Sequence, residues 1–189
     1  MKNSDYVVQE REPEFDRDCL HRPLFAVNMR LYSANQRYRD HIRGVLSYMD
    51  WILYQKWEDY ASAKDGGKFG ISGANLGIPY NIIAFRTKNE KGLVVHRCMI
   101  NPRILGVSKD LVETMSNCGS IKFKQKIPIK RHTWIEVEYY DWKGELKKEK
   151  LTTKEGAFTI QHEVDHNNGI LITDRYIQQG GDKGLLERI

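Results

Sequence analysis

The stretch that most constrains this chain is Gln161 to Gly169, QHEVDHNNG. His162 and His166 are four apart, so on a helix their imidazoles stand one turn above the other and can share one metal ion. Glu163 then lies beside that position as a candidate general base. The flanking sequence specifies the helix. Thr152 and Glu155 have the S/T-x-x-E spacing of a capping box, Ala157, Phe158, Ile160 and Val164 supply apolar faces, and Gly169 fits the C-terminal stop. Two histidines on a helix can also be simply solvated or packed, and a bare HExxH arises by chance in unrelated chains.

A chain of 189 residues with 40% hydrophobic content can bury one real core. Thirty basic against 25 acidic residues give a charge of +5, an ordinary surface or a weak preference for polyanions that does not establish nucleic-acid binding. No apolar run approaches the ~18 residues that span a bilayer. The acidic, charged start MKNSDYVVQEREPEF resembles neither a secretory signal nor a transit peptide, so a cytoplasmic protein without membrane attachment is expected. Cys19, Cys98 and Cys118 are odd in number and form no CxxC pair, which argues against a disulfide framework or a zinc finger.

Residues 1 to about 20 read as a loose arm, within an N-terminal extension of 1–40 that precedes a catalytic domain of 41–189. Ile42, Val45, Leu46, Met49, Ile52, Leu53 and Trp57 recur at threes and fours and predict an amphipathic helix from about His41 to Ala63. The glycines of KDGGKFG and FGISGANLGIP then break the pattern with a loop that lets backbone approach a ligand closely. Asn81–Thr87 and Leu93–Ile100 read as strands joined by KNEKG, with Asn101-Pro102 ending the second and a long polar stretch after it. In SNCGS, Cys118 is flanked by small residues that leave its sulfur accessible, the alternative being a buried free cysteine. Thr133–Trp142 and Glu145–Leu151 form a hairpin feeding the capped helix, and the tail after Asp174 is short and glycine-rich.

An open catalytic site needs three protein ligands, and HEVDH supplies two. A metzincin would place its third ligand at Ile172, which cannot serve. A thermolysin-like site would need Glu187, which stands close to the C-terminus beyond QQGGDKG, a poor scaffold for a rigid ligand. Cys118 is the remaining soft ligand with a plausible setting.

With these residues in view the chain resembles the peptide deformylase family, which carries GxGLAAxQxG, EGCLS and QHExDHLxG in that order. Here they stand as GISGANLG, SNCGS and QHEVDHNNG, with Asn167 replacing the usual leucine. The resemblance implies an α+β fold with antiparallel strands wrapped around the motif helix, and removal of formate from the N-formylmethionine of nascent chains, with transient ribosome contact. It further implies one divalent metal, Fe(II) in the cell with Zn(II) or Ni(II) able to substitute, held by Cys118, His162 and His166, with Glu163 as base. Two oxyanion donors are carried over, the side chain of Asn75 and the backbone N–H of Gly119. The substrate pocket maps to Gly70, Ile71, Phe158 and Thr159. Asn75 is one methylene shorter than the family's glutamine, so its donor falls roughly 1.5 Å short unless the glycine loop moves inward. Losing one such donor typically costs ~3–4 kcal/mol. The resemblance therefore leaves room for a catalytically weak homologue that binds metal or peptide, and for a deformylase with an altered side-chain preference.

Overall fold

A computed structural model describes residues 19–55, 69–88, 92–121 and 126–186. Five antiparallel strands form the main sheet, β1 (Phe69–Ser72), β2 (Ile82–Lys88), β3 (Val94–Val107), β6 (Trp134–Tyr140) and β7 (Leu146–Thr152), in the order β1-β2-β3-β6-β7. β4 (Leu111–Ser116) and β5 (Ile127–His132) make a separate antiparallel pair. Two helices cover the sheet, α2 (Gln36–Gln55) and the motif helix α3 (Ala157–Asn167). A short α1 (Met29–Ala34) precedes them, and α4 (Ile172–Gln178) and α5 (Lys183–Leu186) follow. This is the α+β architecture expected, and no described helix is long and apolar enough to cross a membrane.

The two-residue period of β2 builds both cores at once. Ile82 and Ala84 point to one face and pack with Ile42, Leu46, Met49, Ile52 and Leu53 of α2. Ile83 and Phe85 point to the other and pack with Ala157, Ile160 and Val164 of α3. A strand apolar on both faces is what a sheet clamped between two helices requires.

Several local expectations are refined. The helix predicted from His41 begins at Gln36, so residue 40 lies inside it; residues 56–63 of that prediction lie outside the described residues. Asn101-Pro102 does not end a strand, because β3 runs on to Val107 through a register shift between Ile100 and Arg103. Asn101 takes φ +53 there, and its side chain accepts from Val27 N–H (2.7 Å) and donates to Val27 O (2.9 Å). A bulge tolerates the missing N–H of Pro102, and Asn tolerates the left-handed backbone. The polar stretch beyond it contains β4, and the tail after Asp174 continues α4, begun at Ile172, and carries the short α5. Finally, Thr152 and Glu155 do form a capping box, with Glu155 Oε2 accepting from Thr152 N–H at 2.7 Å, but it caps a 3-10 turn, Thr153–Glu155. α3 starts after that turn, at Ala157, with Gly156 as its N-cap.

The end of α3 is well defined. Gly169 N–H donates to His166 O (3.0 Å) and Ile170 N–H to Asp165 O (2.9 Å), the paired closure of a Schellman motif, with Gly169 at φ +73. The chain N-terminal to α1 lies across this end. Leu24 N–H donates to Asn167 O (2.8 Å), and a Cβ on residue 169 would come within 2.6 Å of the Arg22 backbone nitrogen. Residues 22–28 are therefore part of the framework that fixes the motif helix. Residues 1–18 lie outside the described residues.

Candidate metal centre

Helical spacing puts His162 and His166 on the same side of α3, with Nε2 atoms 3.2 Å apart. The turn after β4 brings Cys118 to the same point, its Sγ 3.1 Å from His166 Nε2. The three ligand atoms all lie within 4.8 Å of one another, a group able to hold a metal ion. Cys118 is buried, in a cluster with Ile127, Ile129, Ile172 and Tyr176. Access to it is through the pocket that it shares with both histidines.

The walls of the site set its electrostatics. Burial holds both imidazoles neutral, His166 lowered to about 4 and His162 well below its ordinary value. Burial likewise pushes the Cys118 thiol up to about 12, partly offset by the Ser120 N–H donating to its sulfur at 3.4 Å. Glu163 is raised to about 8, again chiefly by burial, with Arg131 opposing and Asp165 adding to the shift. Its Oε2 has no hydrogen-bond partner among the described residues. One sulfur and two neutral imidazole nitrogens form a borderline-soft donor set, which fits a divalent first-row ion such as iron, nickel or zinc. His166 Nδ1, the nitrogen that would keep the proton, has no partner among the described residues.

The rest of the motif secures the helix. Gln161 accepts from His132 N–H (3.0 Å) and donates to His132 O (2.9 Å), tying α3 to the end of β5. Asp165 is buried against Arg131 (2.5 Å) and also bonds Arg175. Asn167 donates to Asn81 Oδ1 (2.8 Å) and Ile82 O (3.3 Å), a polar anchor to the start of β2 where the family carries leucine. These roles have no local signature, because the partners lie on distant parts of the chain.

The pocket over the three ligands is lined by Ile52, Phe69, Gly70, Ile71, Asn75, Leu76, Gly119, Ser120 and Glu163 besides Cys118, His162 and His166. Gly70 and Ile71 line this pocket, and Thr159 packs behind Gly70: a Cβ on residue 70 would meet Thr159 Cγ2 at 2.5 Å and Glu163 Cγ at 2.8 Å. Phe158, half-buried, is not in the lining. Ile52, Phe69, Leu76 and Ser120 also line it without any motif to mark them, and Ile52 belongs at the same time to the apolar stripe of α2. Gly119 is exposed at the rim, with open space where its Cβ would be. Asn75 lies in the wall with its amide engaged at both ends. Oδ1 accepts from Ser72 N–H (2.7 Å) and Ser72 Oγ (2.8 Å), and Nδ2 donates to Ser120 Oγ (2.6 Å).

An HExxH helix completed by a cysteine from a neighbouring turn, under an apolar pocket, defines a candidate metallohydrolase centre. The family model for polypeptide deformylase matches residues 52–181. The chain belongs to the peptide deformylase family. It is 31% identical over 112 residues to a peptide deformylase of Afipia carboxidovorans, covering 58% of this chain and 63% of that one. It is 44% identical over 77 residues to peptide deformylase 2 of a Nostoc species, covering 41% and 42%. The match therefore spans less than two thirds of these relatives' length. Among solved structures, a Met-Ala-Ser-bound class I type b peptide deformylase of Acinetobacter baumannii shares the fold, with a TM-score of 0.64 over 84% of this chain and 92% of that one at 23% identity. A probable peptide deformylase of Synechococcus phage S-SSM7 has a TM-score of 0.57 at 26% identity, over 83% and 93%.

Proposed function

We propose that this chain is a metal-dependent peptide deformylase that removes formate from N-formylmethionyl nascent peptides in the cytoplasm, in transient contact with the ribosome. The observation that carries this reading is the convergence of Cys118 Sγ, His162 Nε2 and His166 Nε2 within 4.8 Å of one another, in one pocket with Glu163. These three residues would hold the ion. The chemistry a divalent ion supplies when bound there is Lewis acidity, which polarises a carbonyl oxygen and makes water a better nucleophile near neutral pH. Iron is the expected ion in the cell, with zinc or nickel able to replace it.

The chain's own residues do the remaining work. Glu163 takes a proton from the water that adds to the formyl carbon, and returns it to the peptide nitrogen as the C–N bond breaks. Formate leaves carrying the water's oxygen, and a free α-amine remains. A buried carboxyl raised to about 8 is suited to hold that proton between the two transfers. Ile52, Phe69, Ile71 and Leu76 give the pocket an apolar wall that suits a methionine side chain. The relative from Acinetobacter baumannii, bound to Met-Ala-Ser, supports a substrate of that kind. The Gly119 N–H is the second oxyanion donor in this reading.

A second reading, a weakly active homologue that retains metal and peptide binding, is favoured by the engagement of both ends of the Asn75 amide within the protein. Formate release from formyl-Met-Ala-Ser by anaerobically purified protein separates the two, with Glu163→Ala as control. Turnover abolished by that substitution supports the first reading. Bound metal without formate from formyl-Met, formyl-Leu or formyl-Phe peptides refutes it and leaves the second.

A further inference from the structure

We propose that Ser120 is a positioning residue for the sulfur ligand: its backbone N–H and its hydroxyl both donate to Cys118 Sγ, and Asn75 aims the hydroxyl. This rests on Cys118 being a metal ligand, as in the deformylase reading, and gives the short Asn75 side chain a task away from the substrate. The polarity of the hydrogen bonds carries the argument. The Ser72 backbone N–H can only donate, so the Asn75 atom 2.7 Å from it is the amide oxygen, which also accepts from Ser72 Oγ at 2.8 Å. Nδ2 is then the atom 2.6 Å from Ser120 Oγ. An amide nitrogen has no lone pair to offer, so Ser120 Oγ accepts in this bond and its own proton is directed to another partner. That partner is the sulfur: the Ser120 side chain hydrogen-bonds Cys118, and the Ser120 N–H donates to the same Sγ across 3.4 Å.

A sulfur that ligates a metal carries no proton, so both Ser120 groups act as donors to it. The far end of the relay is fixed in the glycine loop, where Ser72 is buried and Asn75 sits on the 3-10 turn Ala74–Leu76. The bonds from Ser72 to Asn75, Asn75 to Ser120 and Ser120 to Cys118 run in a single sense, so each polarises the next. Residues 45 apart in sequence are thereby joined, and the loop that lines the pocket is tied to the turn that carries the ligand. The apolar neighbours of Cys118, Ile127 and Ile129 among them, bury the sulfur without giving it a direction. Two donors do give it one, and they withdraw electron density from it, which is how groups around a ligand orient it and tune the ion it holds.

The test uses the cobalt(II)-substituted protein, read by its sulfur-to-cobalt charge-transfer band in the near ultraviolet and by cobalt affinity in chelator competition at fixed pH, with far-UV circular dichroism matched to wild type. Removing a donor raises the energy of the sulfur lone pairs, so Ser120→Ala is expected to move the band to longer wavelength and to weaken cobalt binding about 10–100-fold. Ser120→Thr, which keeps the hydroxyl, is expected to leave the band in place and affinity within about threefold of wild type. Asn75→Ala is expected to move the band in the same direction by a smaller amount, and to add nothing in the Ser120→Ala background. A band unmoved in Ser120→Ala overturns the assignment, as do equal shifts in the alanine and threonine variants or additive shifts in the double variant. Wild-type protein that binds cobalt without the band overturns Cys118 as a ligand, and this assignment with it. A band that shifts as expected in a protein that releases no formate from formyl-Met-Ala-Ser supports the assignment and refutes the deformylase reading alone.

Discussion

At Gly70 the sheet packs directly against Glu163, and adding one methyl there should separate stability from catalysis. A Cβ on residue 70 would sit 2.5 Å from Thr159 Cγ2, 2.8 Å from Glu163 Cγ and 2.9 Å from Glu163 Oε1. Carbon atoms pack at about 3.5–4.0 Å, so β1 and α3 must part by about 1 Å at Thr159 and by nearly as much at Glu163. Overpacking of this size costs about 1–3 kcal/mol. Displacing a proton-transfer group by about 1 Å costs on the order of 100-fold in rate. Gly70→Ala should therefore lower the urea midpoint with unchanged m, and cut kcat/KM about 100-fold. Combining it with Thr159→Ser removes the closest contact and should recover much of the stability, but little of the rate, because both Glu163 contacts remain. Formate release and urea unfolding on the wild-type, single and double variants measure each effect. A Gly70→Ala protein with wild-type stability and turnover would refute the close approach of β1 to Glu163. Recovery of rate in parallel with stability would refute the idea that Glu163 is the displaced group.

Two further outcomes follow from the electrostatics. Binding a cation requires Cys118 to lose the proton that burial keeps on it up to about 12, whereas His166, lowered to about 4, and His162, lowered well below its ordinary value, are already neutral. Release of one proton on binding means affinity rises with pH, about tenfold per unit between pH 6 and 8, and Cys118→Ala should flatten that slope; chelator competition measures it, and a pH-independent affinity in the wild-type protein refutes the thiol as ligand. Asp165→Asn leaves the buried Arg131 guanidinium without its charged partner and should destabilise the protein by about 3–5 kcal/mol in urea unfolding. A loss below about 1 kcal/mol would show that this pair does not secure the motif helix.

The centre is rigid for reasons that are mostly polar. α3 is tied to β5 by Gln161 and Asp165, to β2 by Asn167, and to the chain N-terminal to α1 by the Leu24–Asn167 bond. Ile160 and Val164 pack its other side into the sheet. Two imidazoles and a carboxylate on one short helix are therefore held from several directions, the preorganisation that metal binding and proton transfer both need.

Much of this was legible without coordinates. The i, i+4 histidines, the apolar stripe of α2 and the alternation of β6 are periodic signals, and periodicity is set by backbone geometry that any stretch of chain shares. The Cys118 ligand could be reached by excluding Ile172 and Glu187, since metal chemistry admits few donor types. What had no local signature was decided by contacts between distant residues. Asn101 forms a bulge instead of a strand end because Val27, 74 residues earlier, offers both backbone groups to its side chain. Asn75 engages its amide with Ser72 and with Ser120, 45 residues away, a pairing that no local pattern in the glycine loop announces. Local pattern and donor chemistry reveal a helix and a cysteine able to hold a metal ion. The groups that surround them follow from the folded arrangement, because a hydrogen bond's partner and direction depend on where the rest of the chain is placed.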